Sequence, residues 1–392
     1  MTLSQRIQGS QKAARFTESV IREMSRISSL EGGVNLAQGF PDFEAPEAMK
    51  EAACRAIRAD VNQYAVTWGA PRLREAVARR AREVHGIDCN ADEHVTVTCG
   101  ATEAMIAALL AACDPGDEVL FFDPFYENYG PDCILADATP RYVRLRGPRW
   151  EFDPTELAQA FNENTRAIIV NTPHNPTGKV FTRDELETIA ELCVRHDVLA
   201  ITDEIYDAIT YDGTKHVSIA TLDGMAERTI TINGLSKTWS ATGWRIGWCI
   251  APTELSLAIR KVHDFLTVGA AAPLQEAAAD ALGFGEVYFD ELRSDYHARR
   301  AVMVDGLRAA GVEVEAPLGA YYCLVDISRF QRPGEDDVAF ARRLVAKGGV
   351  ATVPGSSFFA DPYDGRHLIR FCFSKRLSTL ERAAAVLTER LA

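Results

Sequence analysis

Lysine is scarce in this chain. Eight occur among 392 residues, at positions 12, 50, 179, 215, 237, 261, 347 and 375, so each has to be accounted for. Basic charge as a whole is in deficit: 42 Lys and Arg face 55 Asp and Glu, a net charge of −13, and a surface that acidic repels phosphate backbones. Nucleic acid is thereby excluded as a main partner. Paired cysteines are missing too. The nine cysteines, at 54, 89, 99, 113, 133, 193, 249, 323 and 372, stand singly without the spacing of a zinc site or a disulfide framework, and read as small buried hydrophobes in a reducing cytoplasm. No apolar run reaches the length of a membrane span, and the polar start Met1-Thr2-Leu3-Ser4-Gln5-Arg6 lacks the apolar core of a secretory signal, which predicts a soluble, cytoplasmic protein away from membranes.

Several catalytic signatures are absent as well. No Gly-x-Gly-x-x-Gly follows a strand-like run, and Thr177-Gly178-Lys179 has Pro173 where a Walker-type loop needs glycine. Pro354-Gly355-Ser356-Ser357 is not a nucleophile elbow, and the eight histidines show no metal-ligand spacing, so no metal is expected.

What is present points to an α/β enzyme. With 47% hydrophobic and 25% charged residues, 392 positions exceed what one compact core holds, which predicts two or more domains. From about residue 95 to 250, short runs rich in Val, Ile and Thr alternate with helix-period segments, the pattern of a parallel sheet. Strands are predicted at 95–98, 119–122, 167–171, 199–203, 229–233 and 244–250, mostly apolar at successive positions, as in strands buried on both faces. Helices are predicted at 102–113, from the Thr182 cap of Thr182-Arg183-Asp184-Glu185 onward, at 252–266 and over 286–310. The tail, with strands at 321–327, 350–353 and 368–373 and helices at 337–346 and 378–391, reads as a smaller α+β domain. The first 48 residues, broken at Gly32-Gly33 and turning at Gly39-Phe40-Pro41-Asp42, cannot form a core alone and are expected to lie against it. The division is therefore 1–48 as an arm and first part of the small domain, 49–294 as the large domain, and 295–392 as the rest of the small one.

In open α/β sheets ligands sit beyond the carboxyl ends of the strands, so the residues that end the apolar runs carry the information. The run ending at Thr98 opens through Cys99-Gly100-Ala101-Thr102-Glu103 into a helix, whose free N–H groups and dipole favour an anion such as phosphate; an ordinary turn capped by Thr102 is the alternative. The run ending at Asn171 leads into Thr172-Pro173-His174-Asn175-Pro176-Thr177-Gly178, whose prolines fix the backbone while Asn175 offers an amide, or which is a plain turn. Asp203-Glu204-Ile205-Tyr206 puts a carboxylate at the crevice, or caps a helix. Thr229-Ile230-Thr231-Ile232 ends in Asn233-Gly234-Leu235-Ser236-Lys237. A lysine at a buried strand end is costly unless paired or consumed in a covalent bond, and Schiff-base chemistry suits it; a surface loop lysine is the alternative. The other seven lysines read as helix surface or loop, or as following a turn.

Together these strand ends resemble the class I aminotransferases of pyridoxal-phosphate fold type I, in particular the branch of kynurenine/glutamine aminotransferases, methionine aminotransferases and cysteine-conjugate β-lyases. The likeness covers nearly the whole chain and is most specific over Gly234-Leu235-Ser236-Lys237-Thr238-Trp239-Ser240-Ala241-Thr242-Gly243-Trp244-Arg245-Ile246-Gly247, with support from Gly39-Phe40-Pro41-Asp42-Phe43, Asn62-Gln63-Tyr64, Asn175-Pro176-Thr177-Gly178, Asp203-Glu204-Ile205-Tyr206 and Arg370-Phe371-Cys372-Phe373. It implies an α/β architecture with a mostly parallel central sheet in a large domain plus a smaller α+β domain, and a homodimer that uses pyridoxal 5'-phosphate. Carried over residue by residue, it implies that Lys237 bonds the cofactor and later moves the proton between Cα and C4′, and that Asp203 pairs with the pyridine nitrogen. Asn175 and Tyr206 would hydrogen-bond the phenolic oxygen, and Tyr126 would stack on the ring. The phosphate falls to Gly100, Ala101, Thr102, Ser236 and Arg245, with Tyr64 reaching in from the partner subunit. Gly234 stands where many relatives carry serine, so one hydroxyl is missing there or replaced by Ser236. Arg370 is implied to grip the substrate α-carboxylate in a two-pronged pair with Asn175 assisting, since its apolar run holds no obvious local acid, and Gly39 to let the N-terminal segment close over the substrate.

The activity so implied moves an amino group from an L-amino acid, with a hydrophobic, aromatic or glutamine-like side chain, to a 2-oxo acid by a ping-pong scheme. The stretch Thr267-Val268-Gly269-Ala270-Ala271-Ala272-Pro273 stands where kynurenine/glutamine enzymes carry bulky aromatic and imidazole groups, which predicts a wider or less polar pocket. Two alternatives stay open: a β-lyase, which differs in the fate of the electrons left on Cα, and an aspartate or N-succinyldiaminopimelate type of aminotransferase, for which the sequence shows no identifiable second arginine.

Overall fold

The runs of Val, Ile and Thr become a central sheet in the computed structural model, which describes residues 9–16 and 18–391. β1 (Val34–Asn35) lies near the start of the chain. β2 (Val95–Thr98), β3 (Glu118–Asp123), β4 (Thr139–Arg144), β5 (Thr165–Asn171), β6 (Leu199–Asp203), β7 (Thr229–Gly234) and β8 (Gly247–Ile250) form a seven-stranded sheet in the order β2-β8-β7-β6-β5-β3-β4. Five of these, from β7 across to β4, run parallel, while β8 is antiparallel to both of its neighbours.

The side-chain period of two explains why continuous apolar runs suit this sheet. Val119, Phe121, Ala167, Ile169 and Ile201 pack with the Ala101–Ala112 helix on one face; Leu120, Phe122, Ile168, Val170 and Ala200 pack with the Arg183–His196 helix on the other. Each such side chain stabilises the fold by roughly 2 kcal/mol through apolar burial. The Arg183–His196 helix starts as its sequence requires: the Thr182 hydroxyl accepts from the Glu185 N–H while the Glu185 side chain caps Thr182, a complete capping box.

β2 and β6 fall where the apolar runs place them. β4 escapes that reading because it is an edge strand whose residues are mostly exposed and polar, so it lacks an apolar run. The strand expected at 244–250 begins only at Gly247, because Thr242–Trp244 is a short 3-10 turn and Arg245 adopts a left-handed backbone at φ 53°. The single strand expected at 350–353 is two. β9 (Tyr322–Asp326) is followed by β10 (Val350–Ala351), which pairs with β1, and by β11 (Val353–Pro354), which joins a separate three-stranded antiparallel sheet with β12 (Leu368–Cys372) and β9; the chain changes sheets at Thr352.

β1 pairs in parallel with β10, Val34 opposite Val350, so residues early in the chain lie in the C-terminal part of the structure. Val34 and Leu36 share one buried cluster with Tyr296, Leu307, Tyr322, Phe371 and Leu387, and Tyr206 joins it from beyond the end of β6. All nine cysteines are free; Cys54, Cys99 and Cys113 are half-buried and the other six are buried. Among the described residues no helix is long and apolar enough to cross a membrane.

Candidate active site

The carboxyl ends of β5, β6 and β7, the turn after β2, residues 38–40 and β12 surround a cavity of about 510 Å³. Lys237 opens onto it. Its Nζ donates to the Gly39 carbonyl at 3.0 Å and lies 5.8 Å from the ring centres of both Tyr206 and Tyr321. Burial, reinforced by the charges of Arg370 and Arg245 and opposed by Asp203, holds the ammonium down at about 8, so a useful fraction of the amine is neutral near physiological pH.

Asp203 ends β6 and also lines the cavity, with its Oδ2 accepting from the Tyr129 hydroxyl at 2.8 Å. Burial pushes this carboxyl up, and the bond from Tyr129 works against that shift. Tyr206, three residues on, is buried with its hydroxyl 3.0 Å from that of Tyr322. Tyr126 lines the same cavity and meets Tyr129 edge-on.

The turn after β2 makes an anion corner. Gly100 caps the Ala101–Ala112 helix in a left-handed conformation, φ 88°, and the Arg245 guanidinium occupies the space that a side chain on Gly100 would need. Ala101, Thr102, buried Ser236 and Arg245 line the cavity here, around the free N–H groups of the helix. A Cβ on Gly247 would stand 2.5 Å from the Ala101 nitrogen, and one on Gly234 2.8 Å from the Ile246 carbonyl and 2.9 Å from the Gly247 Cα. Glycine at 234 is thus a packing requirement of the β7–β8 approach, and a serine hydroxyl has no room there on this backbone.

Arg370, in β12, is fully buried, and among the described residues its side-chain hydrogen bonds go to neutral acceptors. One guanidinium nitrogen donates to Asn175 Oδ1 at 2.7 Å, another to the Ala37 carbonyl at 2.8 Å, and Nε has no partner. A buried cation with only neutral acceptors is poorly compensated, which leaves it suited to a ligand carboxylate. Gly39 earns its identity by contact and not by a left-handed backbone: the Tyr322 hydroxyl fills its Cβ position, while its carbonyl accepts from Lys237 and, at 3.0 Å, from the Tyr321 hydroxyl.

The structure thus gathers Lys237, Asp203, Tyr206, Asn175, Arg370 and the phosphate-corner residues into one place. It does not bring Tyr64 there: that side chain is 88% exposed, in the link between the Glu47–Arg58 and Pro71–Arg80 helices. Tyr129, Tyr321, Tyr322 and Arg22 belong to the site or its tyrosine lining and escaped the sequence reading. Only Tyr129 had a local signal, one helical turn beyond Tyr126. The lysine reading needs correction as well. Lys179 and Lys375 are buried, the first paired with Glu185 at 2.7 Å and the second bonded to the carbonyls of Gln38 and Phe40 at 3.3 and 2.7 Å. Burial alone does not single out Lys237.

The donor set fits pyridoxal phosphate: an amine of lowered basicity for the aldehyde, a buried carboxylate for a ring nitrogen, and a glycine-lined corner of N–H groups and arginine for a phosphate. Among the described residues no cluster could hold a metal ion. The family model for aminotransferase class I and II matches residues 31–387. A probable N-succinyldiaminopimelate aminotransferase of Mycobacterium tuberculosis is 40% identical, over 96% of this chain and 97% of its own. Methionine aminotransferase of Escherichia coli is 36% identical, over 95% and 96%, and human kynurenine–oxoglutarate transaminase 1 is 37% identical, over 92% of both. The solved structure of N-succinyldiaminopimelate aminotransferase from Mycobacterium tuberculosis superposes with a TM-score of 0.93 at 39% identity, covering 98% of this chain and all of that one. With its sheet, its lysine-bearing turn and its relatives in agreement, the chain belongs to the class I and II aminotransferases and is a pyridoxal-phosphate-dependent transaminase.

Proposed function

We propose that this enzyme transfers the amino group of an L-amino acid with an apolar, aromatic or glutamine-like side chain to a 2-oxo acid, in a cavity assembled by a large unit over 49–294 and a smaller one built from 1–48 and 295–392. Pyridoxal phosphate supplies the sink for the electrons left when the substrate Cα loses its proton. In this reading Lys237 would bond the cofactor aldehyde with loss of water, would give way to the substrate amine, and, as the amine so freed, would take the proton from Cα and deliver it to C4′ of the cofactor, a role that its lowered basicity suits. Asp203, oriented by Tyr129, holds the ring nitrogen in its protonated form. Tyr206 and the Asn175 side-chain NH2 would hydrogen-bond the phenolic oxygen, Tyr126 would stack on the ring, and Gly100, Ala101, Thr102, Ser236 and Arg245 would hold the phosphate. Arg370 takes the α-carboxylate in place of part of its present neutral bonding, with Asn175 Oδ1 keeping its plane.

The observation that carries this reading is the uncompensated Arg370 on the same cavity as an unpaired lysine. The exposed Tyr64, with Val61, Val66, Trp68, Phe265, Leu266 and Val268 also exposed, supports a homodimer in which Tyr64 serves the partner's site. Nine unpaired cysteines support a cytoplasmic location.

A second reading is favoured by Arg22. It sits in the first turn of the Val20–Glu31 helix, lines the cavity beside Ile21, and offers a cation to a substrate carboxylate beyond the one held by Arg370. An acidic or succinylated amino donor would use it. A panel of amino donors and 2-oxo acids against the purified holoenzyme decides between the two: preference for methionine, phenylalanine, kynurenine or glutamine supports the first, whereas a strong preference for acidic donors, lost selectively in Arg22→Ala, replaces it with the second.

A further inference from the structure

Behind the Asp203–Tyr206 segment lies a second set of ionisable side chains that the chemistry above does not use. Asp203-Glu204-Ile205-Tyr206-Asp207 serves two cavities: Asp203, Ile205 and Tyr206 line the substrate cavity, whereas Asp207 borders a different one of about 710 Å³, shared with Arg80, His85, Lys215 and His216. Glu204 is clamped from three directions. Its Oε2 lies 2.8 Å from His216 Nε2, and its Oε1 accepts from Ser218 Oγ at 2.8 Å and Thr202 Oγ1 at 3.0 Å. Asp207 Oδ2 lies 2.8 Å from His85 Nε2 and 3.4 Å from an Arg80 guanidinium nitrogen, and the His85 and His216 rings meet edge-on with centres 5.6 Å apart. The side chains of His216, Glu204 and Asp207 are 4%, 1% and 1% exposed, and His216 Nδ1 and Asp207 Oδ1 have no partner. Arg80 also stands over the ring of Trp239, two residues from Lys237, at 5.4 Å.

We propose that His216 and Glu204 form a positioning pair for the cofactor site: protonated His216 neutralises Glu204, and so keeps Asp203, its chain neighbour, ionised toward the ring nitrogen, while Asp207, His85 and Arg80 pin the far end of the same segment. The inference rests on the reading of Asp203 as the ring-nitrogen partner. Its logic is electrostatic. Two adjacent carboxylates, Glu204 buried and Asp203 half-buried on the cavity, raise each other's proton affinity, and Asp203 is already pushed up by loss of solvent, with Glu204 adding to that. Burial works against the charge on Glu204, and His216, with His85 and Ser218, more than offsets it, so that carboxyl is held down; Glu204, with Asp207, lifts His216 against its own burial. The titratable and charged groups around His216 are Glu204, Asp207, His85, Arg80 and Lys215, and the rear cavity gives this cluster a route to solvent that does not pass through the substrate site.

Because His216 is lifted above its ordinary 6.5, its compensation is present below that raised value and fades as pH rises through it. The test titrates apo-protein with pyridoxal phosphate, reading the visible absorbance of the bound cofactor across pH 6 to 9. Wild-type affinity is expected to fall on the alkaline side. His216→Gln, which strands the Glu204 charge, weakens binding about tenfold at neutral pH, and Glu204→Gln/His216→Gln, which removes both charges and keeps hydrogen-bonding groups, returns it to within about threefold of wild type and flattens the alkaline fall. Glu204→Gln alone keeps the volume of the site and is expected to flatten that fall too. A double variant worse than the single, or an alkaline fall that survives in Glu204→Gln, overturns the proposal. Asp203→Asn separates the layers: if it binds the cofactor as wild type does, the ring-nitrogen reading fails; if it weakens binding while His216→Gln leaves it unchanged, the positioning pair alone fails.

Discussion

Two strands in this molecule lead, three residues past their ends, to a lysine, buried at 375 and half-buried on the cavity at 237, and the two behave differently. Lys375, after β12, donates to the carbonyls of Gln38 and Phe40; Lys237, after β7, donates to the carbonyl of Gly39 between them. The same three-residue stretch is therefore held by two ammonium groups. Lys375 has two carbonyl partners, lies 4.3 Å from the Phe40 ring centre, and does not border the cavity. Lys237 has one carbonyl partner, an open volume in front of it, and a basicity lowered by burial. What distinguishes a reactive lysine from a structural one here is the number of N–H donors left without an acceptor and the space beside them.

That contrast can be broken in several places. Lys237→Ala should cost several orders of magnitude in turnover and the visible absorbance of bound cofactor, with the fold intact by circular dichroism. Retained turnover would end the assignment of that lysine. Arg370→Lys, five residues ahead of Lys375, gives up the fork for a point charge, and kcat/KM for amino donors should fall about 30-fold, or roughly 2 kcal/mol. The rate at which apo-protein takes up pyridoxal phosphate should rise about tenfold between pH 7 and a plateau above pH 8, because raising the pH through about 8 frees the Lys237 amine; a rate flat across that range would refute the lowered basicity. Lys375→Met should leave the bound-cofactor spectrum in place while lowering unfolding stability by about 2 kcal/mol in a denaturant titration, since two carbonyls lose their donor. Smallest of all, Lys179→Met should cost about 1 kcal/mol through its bond to Glu185 and leave catalytic constants near wild type.

Much of the large sheet and its site could be read from local pattern. β6 ends at Asp203 because four apolar or β-branched residues give way to Asp-Glu, and the Thr182 cap declares itself within four residues. Lys237 stands out from the residues around it, whereas Arg370 comes only from the family resemblance. What local pattern misses is whatever depends on a partner far along the chain. Tyr321 reaches Gly39 across 282 positions, and Lys375 reaches Phe40 across 335, so nothing beside Lys375 distinguishes it from a lysine following a turn. The run 350–353 reads as one strand because it is apolar or β-branched throughout, and only the separate partners β1 and β12 split it at Thr352. Glu204 is visible in the sequence, but the clamp that gives it meaning comes from His216 and Ser218, beyond a turn.

The pairing of β1 with β10 has a consequence for how the chain acquires its site. Arg370 bonds the Ala37 carbonyl across 333 positions, and Val34 faces Val350. Contacts of that range close the longest loops and pay their entropy before gaining anything, so they form late. During synthesis the seven-stranded sheet can assemble while the carboxylate grip does not yet exist, and residues 34–40 wait for the last strand to emerge. The bond between Arg370 and Ala37 belongs to the last part of the chain to emerge, and a chain cut short before β12 would carry Lys237 without the arginine proposed to hold the substrate carboxylate.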